Sequence, residues 1–284
     1  MVYPWHVPGY QALLKRKERL PHALLLCSRE GTGKLALAEA VAQALLCERP
    51  ERGGEGCGRC IACAWMARGS HPDLRRLEPE IAGEPTELEQ ESGRKASLQI
   101  TIGQVRGITD FINVSSHRGG RKVVLIHPAE SLNLNAANAL LKNLEEPPPG
   151  TYFLLVAHRW HQLLPTIRSR CERVELPAPD AGVARQWLEQ QKLRDADLAL
   201  AQAGGAPLLA LAFDEDYWRQ REALLNAIAV AEVDALRAAE QFRDVAPALI
   251  VSLLQKWSFD LVWHKVTGTV RYNPDHTAAI ATVT

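Results

Sequence analysis

The sequence predicts an α/β protein built on a mostly parallel sheet and continued by an all-α half. Apolar runs of strand length occur in "HALLLCS" (His22 to Ser28), "KVVLIHPAE" (Val123 to Ile126) and "TYFLLVA" (Thr151 to Ala157), and segments of helical period separate them. Strands alternating with helices imply a parallel sheet covered on both faces, and these runs are apolar throughout, as such burial requires. From Asp180 onward strand signals vanish, and the chain reads as successive helices broken at Gly204, Gly205 and Pro207.

In chain order, the first strand runs into "SREGTGKLAL" (Ser28 to Leu37), almost a phosphate-binding loop. Such a loop reads Gly, four free positions, Gly, Lys, then Ser or Thr; its N–H groups wrap the phosphates and the hydroxyl binds Mg²⁺. Gly31, Gly33 and Lys34 are retained, but Ser28 stands where the first Gly belongs and Leu35 where the metal needs an oxygen. The anion cradle is kept and the Mg²⁺ ligand is lost. "KLALAEAVAQALLC" (Lys34 to Cys47), rich in Ala and Leu at helical spacing, supplies the helix that follows.

Cys47, Cys57, Cys60 and Cys63 then form the pattern C-x9-C-x2-C-x2-C. Two-residue spacers let thiolates on a tight turn converge on one ion, and four soft sulfurs describe a closed tetrahedral zinc site. An iron–sulfur centre, which also accepts four thiolates, and free thiols are the other readings. Cys27 follows three leucines in a buried strand and reads as core.

Residues 78–98 are rich in Glu and poor in aromatic and β-branched side chains, which predicts a mobile insertion. Beyond it "IGQVRGITDFI" resumes a helical period through Ile102, Val105, Ile108 and Ile112. At the end of the second strand, ATPases of the P-loop class carry the acids that hold Mg²⁺ and orient water. His127 and Pro128 stand there instead, and Glu130 comes two residues too late. With Leu35, His127 and Pro128 all failing, self-catalysed hydrolysis is not expected. "NAANALLKNLEE" (Asn135 to Glu146) reads as a helix stopped by Pro147, Pro148, Pro149 and Gly150.

Lys plus Arg and Asp plus Glu balance at 33 each, so the basic footprint of an autonomous nucleic-acid binder is absent. "HRGGRK" (His117 to Lys122) reads as a solvated turn rather than a phosphate patch. No apolar run reaches bilayer length and "MVYPWHVPGY" lacks the order of a signal peptide, which predicts a cytoplasmic protein with no membrane partner. In that compartment six cysteines argue for metal or buried thiols over disulfides.

The succession "HALLLC", degenerate P-loop, cysteine cluster, "HPDL", "KVVLIHPAESLNLNAANALLKNLEEPP", "TYFLLVA" and "TIRSRC" resembles the delta prime subunits of bacterial DNA polymerase III clamp loaders. The resemblance covers nearly all of residues 1–210. It implies an AAA+ chain: a RecA-like domain at 1–164 with a zinc module inserted at 47–63, a small helical lid at 165–207, and a helical collar at 208–284 that joins a five-subunit ring. The collar is shorter than the resemblance implies. Arg170 of "SRC" matches an arginine finger that reaches ATP bound by a neighbouring motor subunit; a planar, permanently charged guanidinium suits the charge developing on the γ-phosphate. "AHR" (157–159) and Pro207 of "GGAP" replace the residues with which hydrolysing members sense nucleotide.

The function so implied is that of a non-hydrolysing stator which, with motor (gamma/tau) and delta subunits, helps load the sliding clamp on primed DNA. An ATP-hydrolysing AAA+ motor subunit and a zinc-dependent nucleic-acid binder are the alternatives. Leu35 and His127 count against the first, and the neutral charge counts against the second. Whether the Lys34 loop still holds a nucleotide is left open at this level.

Overall fold

The structure is a computed structural model that describes residues 2–80, 99–118, 120–229 and 235–283. The acidic insertion expected at 78–98 therefore lies, from residue 81 on, outside the described residues. The chain divides into two compact units, Met1–Pro177 and Ala178–Thr284.

In the first unit five strands, β1 (Ala23–Cys27), β2 (Leu74–Leu77), β3 (Lys122–Ile126), β4 (Thr151–Ala157) and β5 (Glu172–Glu175), form one sheet in the order β2-β3-β4-β1-β5. Every pairing is parallel, with Leu24 opposite Leu154 and Val124 opposite Phe153. The parallel α/β architecture expected from the sequence is the one observed, and β1, β3 and β4 are the strands its apolar runs marked. Side chains alternate across the sheet. Leu25, Val124, Ile126, Phe153 and Leu155 pack with α4 (Ile102–Asn113) and α5 (Leu134–Glu145). Leu24, Leu26, Leu125, Leu154 and Val156 pack with α1 (Val7–Lys15) and α2 (Lys34–Leu46). Between α2 and β2 lies α3 (Ile61–Ala67), and α6 (Pro165–Arg168) precedes β5.

The outer strands differ from the inner ones. β2 reads "LRRL" and β5 reads "ERVE", short and charged, the composition that keeps a sheet edge from pairing with other chains. Because β5 pairs with β1, the first unit continues past residue 164, where the sequence reading ends its first domain, and closes at Pro177 near the loss of strand signal at Asp180.

The second unit holds α7 (Ala181–Gln190), α8 (Ala196–Gln202), α9 (Pro207–Leu211), α10 (Glu215–Ile228), α11 (Ala235–Gln241), α12 (Pro247–Thr267) and α13 (Thr277–Val283). Helices α7 to α9 share a core of small side chains around Leu188 and Leu200. Fully buried Asp260 of α12 accepts the N–H groups of Arg271, Tyr272 and Asn273 and the Asn273 side-chain amide. Gln202 donates to Tyr272 O and Asn273 Oδ1, and Arg221 to Asn273 Oδ1, so one polar cluster ties α8, α10 and α12 together. Each buried donor stripped of its acceptor costs about 1–3 kcal/mol. Asp260→Ala is therefore expected to lower the urea midpoint of this unit sharply, with Asp260→Asn milder. An unchanged midpoint in Asp260→Ala would show that solvent replaces the carboxylate.

Candidate functional site

The carboxyl ends of β1, β3 and β4 meet where neighbouring strands run on in opposite directions around the sheet, the place where open α/β sheets bind ligands. The turn from Ser28 to Gly33 leaves β1 here, His127 follows β3 and His158 follows β4. Gly31 and Gly33 both take positive φ, 73° and 86°, and Gly33 caps the N-terminus of α2. The backbone is thus bent as a phosphate loop requires, and glycine is what permits it.

The side chains of this cradle bond within the turn itself. Lys34 is only 2% exposed and its Nζ donates to Arg29 O at 2.7 Å, within the loop itself. Burial brings its pKa down to about 8, against the opposing pull of Glu130 and Glu30. Leu35 packs into the apolar layer of α1 and α2. Thr32 Oγ1 donates to Ser28 Oγ and Arg29 O, each at 2.9 Å. From the N-terminus, Trp5 Nε1 donates to Thr32 O at 2.7 Å and His6 Nε2 lies 2.8 Å from the same oxygen. The Tyr3 ring, stacked on Trp5, sits so close to Gly33 that a Cβ there would overlap it. Sequence reading missed these three residues, because nothing local to "YPWH" announces a partner some thirty positions on.

His127 and His158 face each other with ring centroids 5.3 Å apart, and burial lowers both pKa values. A neutral imidazole, His127, thus stands at the strand end where hydrolysing members of this loop class place an acid, and His158 lies beside it after β4. Glu130 turns elsewhere: its Oε1 accepts the N–H groups of His158 and Arg159, both at 2.9 Å, and holds the turn after β4.

The four cysteines come together. The Sγ atoms of Cys47, Cys57, Cys60 and Cys63 all lie within 4.8 Å of one another, with Cys47 and Cys60 at 3.8 Å. Sulfurs about 2.3 Å from a tetrahedral zinc stand about 3.8 Å apart, so the donor set fits a closed metal centre. Backbone N–H groups point at the sulfurs, Cys57 N to Cys47 at 3.3 Å and both Cys60 N to Cys57 and Cys63 N to Cys60 at 3.4 Å. Burial opposes ionisation of Cys60, but the N–H groups of Cys63 and Glu48 outweigh it and bring the thiol to about 6. Cys27, as read, is core.

Arg170 lies beyond α6, with a side chain 32% exposed. Its Nε donates to Glu145 Oε1 at 2.8 Å and its Nη2 to the same oxygen, while Nη1 reaches Thr166 O at 2.9 Å and Ser169 Oγ at 3.3 Å. Two arginines of the basic stretch are ion-paired in place: Asp73 accepts the N–H groups of His117 and Arg118, Arg118 pairs with Glu48, and Arg121 with Glu18.

A family profile described as "DNA polymerase III, delta subunit" matches residues 10–180. The DNA polymerase III subunit delta' of Pseudomonas aeruginosa is 36% identical over 274 residues, covering 94% of this chain and 79% of that protein. The chain belongs to the DNA polymerase III delta' family. The Escherichia coli delta' subunit is 37% identical over 233 residues, 80% of this chain and 65% of its own. Among solved structures, a DNA polymerase III gamma subunit-related protein of Thermotoga maritima is similar at 23% identity with a TM-score of 0.44, covering 97% of this chain and 77% of that one. The RuvB Holliday junction branch migration motor of the same organism has 13% identity and a TM-score of 0.43, covering 98% and 79%. No helix among the described residues is long and apolar enough to cross a membrane.

Proposed function

We propose that the chain is a non-hydrolysing stator of a bacterial clamp loader. In this reading it assembles in the cytoplasm with motor (gamma/tau) and delta subunits, helps load the sliding clamp on primed DNA, and lends Arg170 to the ATP of a neighbouring motor subunit. The first unit, to Pro177, serves as the RecA-like domain, and in the second the helices up to 207 serve as its lid and those from 208 as the collar. The observation that carries the reading is Leu35, whose side chain is committed to the apolar layer at the one position where a hydrolysing loop offers Mg²⁺ a hydroxyl. His127 and His158 at the neighbouring strand ends add no acid to replace it. Arg170 keeps the permanent charge that a partner's γ-phosphate would meet. The four thiolates hold a structural zinc that locks residues 47–63, because four ligands leave no position open for water.

The pure chain is expected to show no ATP turnover, and it should co-purify with motor and delta subunits of a loader. Hydrolysis above background that Lys34→Ala abolishes would favour the motor reading instead. Failure to enter any such complex would remove the stator.

A further inference from the structure

We infer that Glu145 is the positioning residue for Arg170, a clasp in the same chain that presents the guanidinium in one orientation before a neighbour's nucleotide arrives; this rests on the finger reading above. A guanidinium has five N–H donors. Four of them are engaged here, two on Glu145 Oε1, one on Thr166 O and one on Ser169 Oγ, which leaves one Nη2 hydrogen uncommitted.

The placement of Glu145 is not explained by its own helix. It is the last residue of α5, followed at the cap by Glu146. Carboxylates are favourable at helix N-termini and unfavourable at C-termini, where the exposed carbonyls already gather negative charge. Arg170 is the cation that answers Glu145 there, across 25 positions of sequence. With both side chains partly in solvent, 32% and 49% exposed, such a pair adds little to folding. Its effect is on geometry. Arginine is rich in rotamers, and a long side chain already held in one of them loses less freedom when it engages phosphate. The anchoring on Thr166 O and Ser169 Oγ remains when the carboxylate yields its two bonds to the γ-phosphate as charge develops there, so the fork moves by rotation at its tip rather than by a search.

The test compares Glu145→Ala, Glu145→Gln, Arg170→Ala and Glu145→Ala/Arg170→Ala in a loader reconstituted with its motor and delta subunits, reading clamp- and DNA-stimulated ATPase. Glu145→Ala should lower kcat about two- to fivefold with KM for ATP unchanged, because the fork that Glu145 orients meets the phosphate only as charge develops in the transition state. Glu145→Gln, which keeps an acceptor oxygen, should restore most of the loss, and the double variant should match Arg170→Ala alone. In the free chain, the Arg170 Nε–H resonance should lose its protection from exchange in Glu145→Ala. Turnover that stays level or rises in Glu145→Ala, while Arg170→Ala is impaired, overturns the clasp and leaves the finger standing. Turnover unimpaired in Arg170→Ala removes the finger and the clasp with it.

Discussion

Arg170→Ala is expected to leave the melting temperature of the chain and its entry into the complex nearly unchanged, and to depress the stimulated ATPase of the assembled loader. The first half follows from the geometry at Arg170. Its contacts are made at the surface, and exposed ion pairs of this kind contribute about 0.2–1 kcal/mol. The second half follows from what a guanidinium does at a phosphoryl-transfer site, where fingers supply about 10³–10⁵ in turnover. Total hydrolysis should fall only a few fold, because the other motor sites keep their own fingers, whereas coordinated loading onto primed DNA should suffer more. Arg170→Lys should not restore activity, since a point charge on a flexible stem lacks the planar fork that reads two oxygens at once. Thermal melts, complex assembly by gel filtration and ATPase measured on one preparation decide the matter. Full activity of a correctly assembled Arg170→Ala complex would return Arg170 to an ordinary partner of Glu145.

Emptying the proposed zinc site is the second change of large effect. Purified protein should contain about one zinc per chain and show none of the visible absorbance of an iron–sulfur cluster. Structural zinc contributes about 10–16 kcal/mol of apparent binding free energy in zinc-finger peptides at pH 7. Cys60→Ser should empty the centre, and so should a strong chelator. The consequence should be local. Cys47 closes α2, and Cys60 caps α3 by accepting the N–H of Cys63, so the segment between them loses its anchor and becomes a site of proteolysis. The apolar layers on the two faces of the sheet do not depend on the sulfurs and should keep the first unit folded. A metal-free protein whose four thiols titrate freely under native conditions would refute the zinc reading.

The elements legible in the sequence share one property: their signal is local. β1, β3 and β4 are apolar on both faces, and α2, α4 and α5 carry their apolar side chains at helical spacing. The cysteine spacing belongs to the same class, since two-residue spacers bring sulfurs together whatever the rest of the chain does. Arg170 is singled out as a proposed finger only through its motif, and the motif names the residue without naming what holds it. β2 and β5 escaped notice because edge strands carry the charges that guard an edge, and charge erases the apolar run by which a strand is recognised.

Sequence sufficed for the proposal that no Mg²⁺ is held here, because the identity of Leu35, His127 and Pro128 leaves no side-chain oxygen at those positions whatever their surroundings. It sufficed as well for the gathering of four cysteine sulfurs and for the division between an α/β half and a helical half. Folding in three dimensions settled the remainder: Tyr3, Trp5 and His6 laid against the phosphate-type turn, Lys34 bonded back to Arg29, Glu130 spent on the turn after β4, and Glu145 set against Arg170. The physical reason is the same in each case. Hydrogen bonds and ion pairs act over about 3 Å, and which groups come that close across tens of residues is set by how the sheet orders its strands, not by any pattern along the chain.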